Sequence, residues 1–255
     1  MESMYTFPES DDYRRISDQL KVPSNIEGLL SKIGSNLPML FTVELDIWSR
    51  VFLQRVQQAE NSLVTMLYLF EQGINDEEWY VEIKGGYRLL PNFKEKDHKL
   101  KYFFDNHSDI FLYKVSSALD NLAHIGNILY HWDIYKPSFI KCWEDERSAQ
   151  KIRESNPELY DAYKGIIRSD AYTRFRKLRN DFTHNYPPSE PTTGIVRYKK
   201  GRGPVKELGE ELYRVTTSFS RDNISYITSK EMTDICIAVW EMLVDIIEVT
   251  DEYMR

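Results

Sequence analysis

Cysteine is scarce in this sequence, and the two that occur, Cys142 and Cys236, lie far apart. Such spacing offers neither a disulfide framework nor the paired thiols of a zinc site, and it favours a reducing compartment. No apolar run approaches the length of a membrane span, and the first residues lack the basic and apolar regions of a secretory signal. We therefore expect a cytoplasmic protein without a membrane partner.

Positive charge is also in short supply, since 33 Lys and Arg residues stand against 40 Asp and Glu residues, for a formal net charge of −7. A protein that coats nucleic acid without specificity is usually basic, so any contact with RNA must be local. The chain contains no Gly-rich phosphate loop, nucleophile elbow or metalloprotease helix. It therefore gives no sign of the enzyme classes that depend on those motifs.

Apolar residues recur every three or four positions along four long stretches, a spacing that is typical of amphipathic α-helices. These stretches lie near residues 43–72, 95–135, 157–183 and 230–253. With 255 residues, of which 42% are hydrophobic, the chain is long enough to bury a substantial core. We predict an all-α fold in which a single domain, residues 1–255, forms an up-down bundle of about four long helices.

Three regions depart from this helical pattern. In residues 189–229, two stretches of strand composition flank a turn rich in Lys, Gly and Arg, so we expect a β-hairpin within 193–220. A second small hairpin is expected within residues 79–90, around Gly85-Gly86. Prolines interrupt residues 1–42, which we expect to wrap the body or form short helices.

One short segment combines a permanent cation with a titratable base. It reads Arg179-Asn180-Asp181-Phe182-Thr183-His184. Histidine can take a proton from a ribose 2′-OH because the ordinary pKa of imidazole lies near neutrality. Arginine can hold the charge that develops on the phosphorus oxygens with a planar fork of donors. Cleavage of RNA without a metal ion requires such a pair of groups.

This segment resembles the Arg-x4-His signature of the HEPN superfamily, in which Asn, Asp or His commonly follows the arginine, as Asn180 does here. HEPN proteins are helical bundles, and many are metal-independent endoribonucleases of toxin–antitoxin, phage-defence and RNA-processing systems. The resemblance implies cleavage that leaves a 2′,3′-cyclic phosphate and a 5′-hydroxyl. It also implies that His184 is the general base or acid. Arg179 would bind the scissile phosphate, and Asn180 would orient the phosphate or the histidine.

A stripe of polar residues on the second long helix could face this segment. Its members are spaced by three or four residues and so share one side of a helix: Tyr113, Ser117, Asp120, His124, Asn127 and His131. In HEPN proteins a polar or acidic residue on an earlier helix often faces the motif, and here Asp120 is the candidate, with Asn121 as a substitute. The alternatives are a solvated helix face and a metal site of Asp120, His124 and His131. That metal site lacks any strong ligand motif, so we expect neither a metal nor another cofactor.

Basic residues flank the motif and could form a positive footprint on this acidic protein. The expected RNA-binding residues are Arg174, Arg176, Lys177, Lys199, Lys200 and Arg202, with Tyr186 available to stack on a base. Alternatively, these charges are ordinary solvated surface.

Three functional hypotheses remain open. The first is a metal-independent HEPN-like endoribonuclease with a toxin or defence role. By the resemblance, its partners would be RNA, a second copy of the chain in a homodimer, and a protein or nucleotidyltransferase antitoxin. The second is a non-catalytic HEPN-like module that binds RNA, a nucleotide or a protein. The third is a helical interaction protein in which His184 lies near the last carbonyls of a helix and Arg179 pairs with a surface carboxylate.

Overall fold

The computed structural model describes residues 7–23, 38–83, 86–89, 93–184, 195–199, 215–219 and 226–253. Its helices are α1 Ser10–Ser17, α2 Met39–Glu71, α3 Asp76–Trp79, α4 Glu95–Leu129, α5 Phe139–Glu144, α6 Glu146–Ser155, α7 Pro157–Ile167, α8 Asp170–His184 and α9 Ser229–Tyr253. The predicted all-α class is confirmed. Among the residues described, no helix has both the length and the apolar character that crossing a bilayer requires.

Helices α2 and α4 form an antiparallel pair at the centre of the core. Near the start of α2, Phe41 contacts His131 just beyond the end of α4, whereas Phe70 near the end of α2 contacts Phe104 near the start of α4. The buried residues of α2 include Phe52 and Leu63, both fully enclosed. The apolar residues whose spacing predicted a helix here thus lie on the side that α2 presents to the core.

Helix α9 packs against both members of this pair and also contacts α7 and α8. Its buried face carries Met232, Ile235, Val239, Met242 and Ile246. This is the apolar seam expected from the sequence, and the helix spans almost the range predicted for it. The resulting layer of α2, α4 and α9 supports the shorter helices α5 to α8.

The single helix predicted over 157–183 is wrong, because the structure divides it into α7 and α8. Helix α7 ends at Ile167, and the Ser169 hydroxyl then accepts a hydrogen bond from the Tyr172 amide at 3.3 Å. A serine in this position satisfies one of the free N–H groups at a helix start, so it favours a new helix over continuation. The break allows α8 to take its own direction against α4.

Helix α4 ends at Leu129, before the predicted end near 135. The Asn127 side chain accepts a hydrogen bond from the Ile134 amide at 3.0 Å and donates one to the Ile134 carbonyl at 3.4 Å. His131 and Asp133 have left-handed backbones, with φ of 50° and 53°. These local bonds fold the chain back on α4 and direct it towards α5.

Two antiparallel strand pairs accompany the helices. Strands β1 Tyr80–Ile83 and β2 Gly86–Leu89 pair so that Ile83 lies opposite Gly86. Strands β3 Ile195–Lys199 and β4 Val215–Phe219 pair in a register that sets Ile195 opposite Phe219. The segment 200–214 that joins β3 to β4 lies outside the described residues.

Candidate functional site

A cavity of about 240 Å³ opens where α8 crosses α4 and the start of α5. Its lining combines buried aromatic rings with charged and polar groups: Ser116, Leu119, Asp120, Ser138, Phe139, Ile140, Tyr172, Phe175, Arg176, Arg179 and Asn180. Three separate parts of the chain supply these residues. The cavity therefore depends on the break at Ser169 and on the turn after α4, both of which position its walls.

Helix α8 brings Arg179 to this cavity because Arg179 lies on the same side of the helix as two of its buried aromatic residues. Tyr172, Phe175 and Leu178 are the buried residues of the helix. Residues three or four positions apart lie on one side of a helix, so Tyr172, Phe175 and Arg179 follow one another along it. Packing of the two aromatic rings thus fixes the rotation of α8 and places Arg179 at the cavity.

Arg179 is half-buried, and its Nε is fully shielded from solvent. Within the described part of the chain, this Nε–H has no hydrogen-bond acceptor. A buried donor without an acceptor costs about 1–3 kcal/mol. Neighbouring Arg176 differs, since its guanidinium pairs with the Glu144 carboxylate. At this cavity Arg179 therefore carries a buried donor that is available to a ligand, whereas Arg176 is held by an ion pair.

Asp120 lies on α4 in the same cavity and is half-buried. Its Oδ1 accepts a hydrogen bond from the Phe139 amide at 2.9 Å, which ties the start of α5 to α4. Burial raises the pKa of Asp120, against the opposing effects of that amide, of Arg179 and of His124. The carboxylate thus interacts electrostatically with Arg179 in a poorly solvated place.

Asn180 and His184 occupy more open positions. Asn180 is exposed and lies at the cavity rim. His184 is also exposed, ends α8, and is not part of the cavity lining. Four residues correspond to roughly 400° of helix rotation, so His184 lies about one turn beyond Asn180 on nearly the same side. The structure therefore brings Arg179, Asn180 and Asp120 together and leaves His184 beside the opening.

Sequence reasoning missed Tyr172, which lines the cavity and is only 2% exposed. Burial raises the pKa of Tyr172 to about 12, with Arg176 opposing and Glu144 and Asp120 reinforcing the rise. The phenol is therefore neutral at physiological pH. Its position about two turns before Arg179 on the same helix side was the available signal.

The expected substitute Asn121 lies elsewhere. It is buried, and it does not line the cavity that contains Asp120. Asn121 is thus a buried residue of the core helix α4 and does not reach the opening of the cavity. Asp120 is accordingly the residue of α4 that meets the Arg179 segment.

The rest of the polar stripe is divided among separate contacts. His124 stacks on Trp48 with ring centroids 3.9 Å apart, and burial lowers the pKa of His124 against the effects of Asp120 and Glu44. His131 instead contacts the Phe41 ring. Among the residues described, no three His, Cys, Asp or Glu side chains gather in a way that could hold a metal ion. The alternative site of Asp120, His124 and His131 is therefore not assembled.

The expected RNA-binding residues fall into three groups. Arg174 and Lys177 are exposed on α8, and Arg176 is half-exposed in its pair with Glu144. Lys199 ends β3, where its backbone pairs opposite Val215. The remaining three lie outside the described residues: Tyr186, Lys200 and Arg202.

Comparison with known proteins identifies one family. Residues 48–255 match the model of the Cthe2314-like HEPN family, and this range covers most of the chain, from α2 to beyond α9. No curated protein and no solved structure matched. The helical architecture agrees with this match, because HEPN domains are all-α. The chain is therefore a member of the HEPN superfamily, within its Cthe2314-like family.

Proposed function

We propose that this protein is a metal-independent endoribonuclease that cleaves RNA beside the ribose 2′-OH and leaves a 2′,3′-cyclic phosphate and a 5′-hydroxyl. The observation that supports this most strongly is the Arg179 guanidinium, which is half-buried at a cavity and carries an Nε–H with no acceptor among the residues that the structure describes. A donor in this state favours an anionic ligand, since a phosphate oxygen would restore the missing hydrogen bond.

Arg179 and Asn180 hold the scissile phosphate at the cavity rim. A guanidinium offers two parallel N–H donors to phosphate, and it can stabilise the charge that builds up as the 2′-oxygen attacks phosphorus. Asn180 is exposed beside it and can donate from its amide to a second phosphate oxygen. The two side chains thereby fix the phosphate relative to α8.

His184 transfers the proton. It is exposed about one helical turn beyond Asn180, so a phosphate held by Asn180 brings a ribose hydroxyl towards the imidazole. Neutral imidazole removes the 2′-OH proton, and imidazolium can return a proton to the 5′-oxygen that leaves. Either step requires only side-chain atoms of this chain and its RNA substrate.

Asp120 orients this arrangement through Arg179. The carboxylate interacts electrostatically with the guanidinium, and its own position is fixed by the Phe139 amide at 2.9 Å. Because both groups are partly shielded from water, their attraction is stronger than it would be on the surface. Asp120 is thus a positioning residue for the cation.

The surrounding basic residues form the remaining RNA footprint. Arg174 and Lys177 are exposed on the helix that carries the motif, where they can contact flanking phosphates. Lys199, Lys200, Arg202 and Tyr186 complete the proposed footprint. This local concentration of positive charge allows RNA to bind a protein whose formal net charge is −7.

The active form is a homodimer. One site supplies one histidine, whereas cleavage proceeds best with both a base and an acid. The exposure of His184 leaves it accessible to a second copy, and a two-fold axis beside it would bring two such residues into one cleft. Sedimentation at micromolar concentration tests this directly: a dimer supports it, and a monomer that still cleaves RNA contradicts it.

A non-catalytic HEPN module is the second candidate. It is favoured by one observation, that His184 is exposed and does not line the cavity that contains Arg179. In this case Arg179, Asn180 and the basic residues bind RNA or a nucleotide without cutting it. A toxin or defence role, with a protein or nucleotidyltransferase antitoxin as inhibitor, belongs to the catalytic proposal alone.

The two candidates are separated by incubating the wild-type protein with total RNA in a chelating buffer. The proposal requires new 2′,3′-cyclic phosphate ends, detected by sequencing the RNA termini, at the same rate with and without chelator. RNA that is bound but never cut establishes the binding module instead.

A further inference from the structure

The cavity that contains Asp120 is larger than a phosphate-binding rim requires. Its volume is about 240 Å³. Arg179 and Asn180 contribute to its lining, while Phe139, Tyr172 and Phe175 form buried walls. A flat purine or pyrimidine ring matches both this size and this apolar enclosure.

Asp120 supplies the polar group of this cavity. One oxygen, Oδ1, accepts from the Phe139 amide at 2.9 Å, and the carboxylate contributes to the cavity lining. The raised pKa of Asp120 agrees with burial that its few partners do not offset. A ligand N–H group could donate to this carboxylate, and the ring of the ligand would fill the apolar space.

We infer that this cavity recognises the nucleobase next to the phosphate held by Arg179, and that Asp120 selects a base with an exocyclic amine over uracil. This inference rests on the proposed function for the location of the phosphate. It assigns to the carboxylate a direct contact with substrate in addition to its effect on Arg179.

The choice of base follows from hydrogen-bond chemistry. An ionised carboxylate only accepts, and the amines of cytosine, adenine and guanine donate to it. Uracil has no exocyclic amine, and its one ring donor on this edge, N3–H, stands between two carbonyl oxygens, which a carboxylate repels. Hydrogen bonds to charged groups are strong enough for discrimination of about tenfold or more.

A conservative substitution should invert this preference. In Asp120→Asn the amide oxygen can still accept from Phe139, so the turn into α5 is kept. The amide NH2 then replaces the other carboxylate oxygen and can donate to a uracil carbonyl. Asp109→Asn is the matched control, because Asp109 is exposed on α4 roughly three turns before Asp120.

Binding provides the first test and needs no catalysis. The four 3′-nucleoside monophosphates are titrated into wild type, Asp120→Asn and Asp109→Asn by calorimetry, with circular dichroism as the check on folding. Wild type and Asp109→Asn should bind the amine-bearing nucleotides about tenfold or more tightly than uridine monophosphate. The Asp120→Asn variant should bind those three nucleotides more weakly, and uridine monophosphate more tightly, than the wild type does. Equal affinities for all four in wild type, or no binding of any, overturns the inference.

Cleavage of oligonucleotides that differ only in the base beside one cleavable bond provides the second test. If Asp120 reads the base, Asp120→Asn changes the ratio of kcat/KM between amine-bearing bases and uracil. If it acts only through Arg179, the substitution slows all four substrates equally and the preference stays as in wild type. That outcome contradicts the base contact and leaves the ribonuclease intact. Selective binding without any cleavage has the opposite meaning: the ribonuclease proposal fails, and the base-binding cavity stands.

Discussion

Two buried or half-buried carboxylates show how a structural and a functional environment differ in this molecule. Asp76, the first residue of α3, is only 2% exposed, and its Oδ2 accepts from the amide and the hydroxyl of Ser229 at the start of α9, both at 2.7 Å. It accepts a third hydrogen bond from the Tyr226 hydroxyl. Among the described residues, Asp120 accepts one such bond, from the Phe139 amide, and it lines a cavity.

The comparison shows where the fold leaves binding capacity unused. Around Asp76 the hydrogen bonds from Ser229 and Tyr226 fix the start of α9, so this carboxylate stabilises the bundle. Beside Asp120, the buried Nε–H of Arg179 lacks a protein partner in the described residues. Incompletely bonded polar groups cost stability, and they are typical of sites that a ligand completes.

Among the residues that line the cavity, the largest expected effect is the loss of activity on substitution of Arg179. Arg179→Ala should lower kcat for RNA cleavage about 10²–10³-fold, because one preorganised donor group on the transition-state charge is lost. Arg179→Lys should recover only part of this, since lysine keeps the charge and loses the two-donor fork. Single-turnover cleavage at saturating protein measures both. If Arg179→Lys cleaved RNA as fast as wild type, the two parallel N–H donors of the guanidinium would have no role.

Stability should respond most at Asp76. Asp76→Ala leaves the Ser229 amide and two hydroxyls without their acceptor, so we expect the free energy of unfolding to fall by about 3 kcal/mol. Urea denaturation measures it, and Asp109→Ala, at an exposed position, should change it by less than about 0.5 kcal/mol. Equal losses in the two variants would remove the distinction drawn between Asp76 and the surface.

Substitution of Asp120 should change the free energy of unfolding in the opposite direction from substitution of Asp76. Because the folded state raises the pKa of Asp120, the folded protein binds its proton more tightly than the unfolded chain does. Ionisation therefore costs stability as pH rises from the unfolded value towards the folded one. We expect Asp120→Asn to melt above wild type at pH 7 and the gap to close near about pH 3, in calorimetric scans. A wild type that is the more stable at pH 7 would show that Asp120 is structural, like Asp76.

The smallest expected effects concern the flanking arginines. Arg174 is exposed, so Arg174→Ala should reduce the salt dependence of RNA binding by about 0.7, the slope for one phosphate contact on a single strand. Arg176 already pairs with Glu144, and Arg176→Ala should reduce the slope by less. Affinity measured from low to high salt distinguishes them. The reverse order would place Arg176 in direct contact with RNA.

Local patterns in the sequence predicted most of the helical fold. The apolar spacing predicted α2 and α9 closely, because each helix buries one continuous side. It failed at Ser169, where a single hydroxyl begins a new helix within an otherwise periodic stretch. The apolar spacing also predicted an end of α4 that lies too far along the chain. The hydrogen bonds between Asn127 and Ile134 reverse the chain there, and such specific contacts do not appear in the periodicity of the sequence.

Local sequence patterns also predicted part of the candidate site. Arg179 and Asn180 are neighbours in a recognisable motif, and Asp120 belongs to a polar stripe whose helical spacing is visible. Phe139 and Ser138 could not be found, because they reach the cavity through the turn after α4. Nor could the spacing alone show that His184 would lie outside the cavity lining.

The most direct test of the account is the rate at which His184→Ala cleaves RNA in a chelating buffer. His98→Ala is the matched control, because His98 is also exposed but lies near the start of α4, with its ring 3.9 Å from that of Phe93. We expect His184→Ala to cleave about 10²–10⁴-fold more slowly than wild type, as the loss of a general acid–base group should produce, and His98→Ala to retain the wild-type rate. A His184→Ala protein that cleaves as fast as wild type would contradict the proposed mechanism.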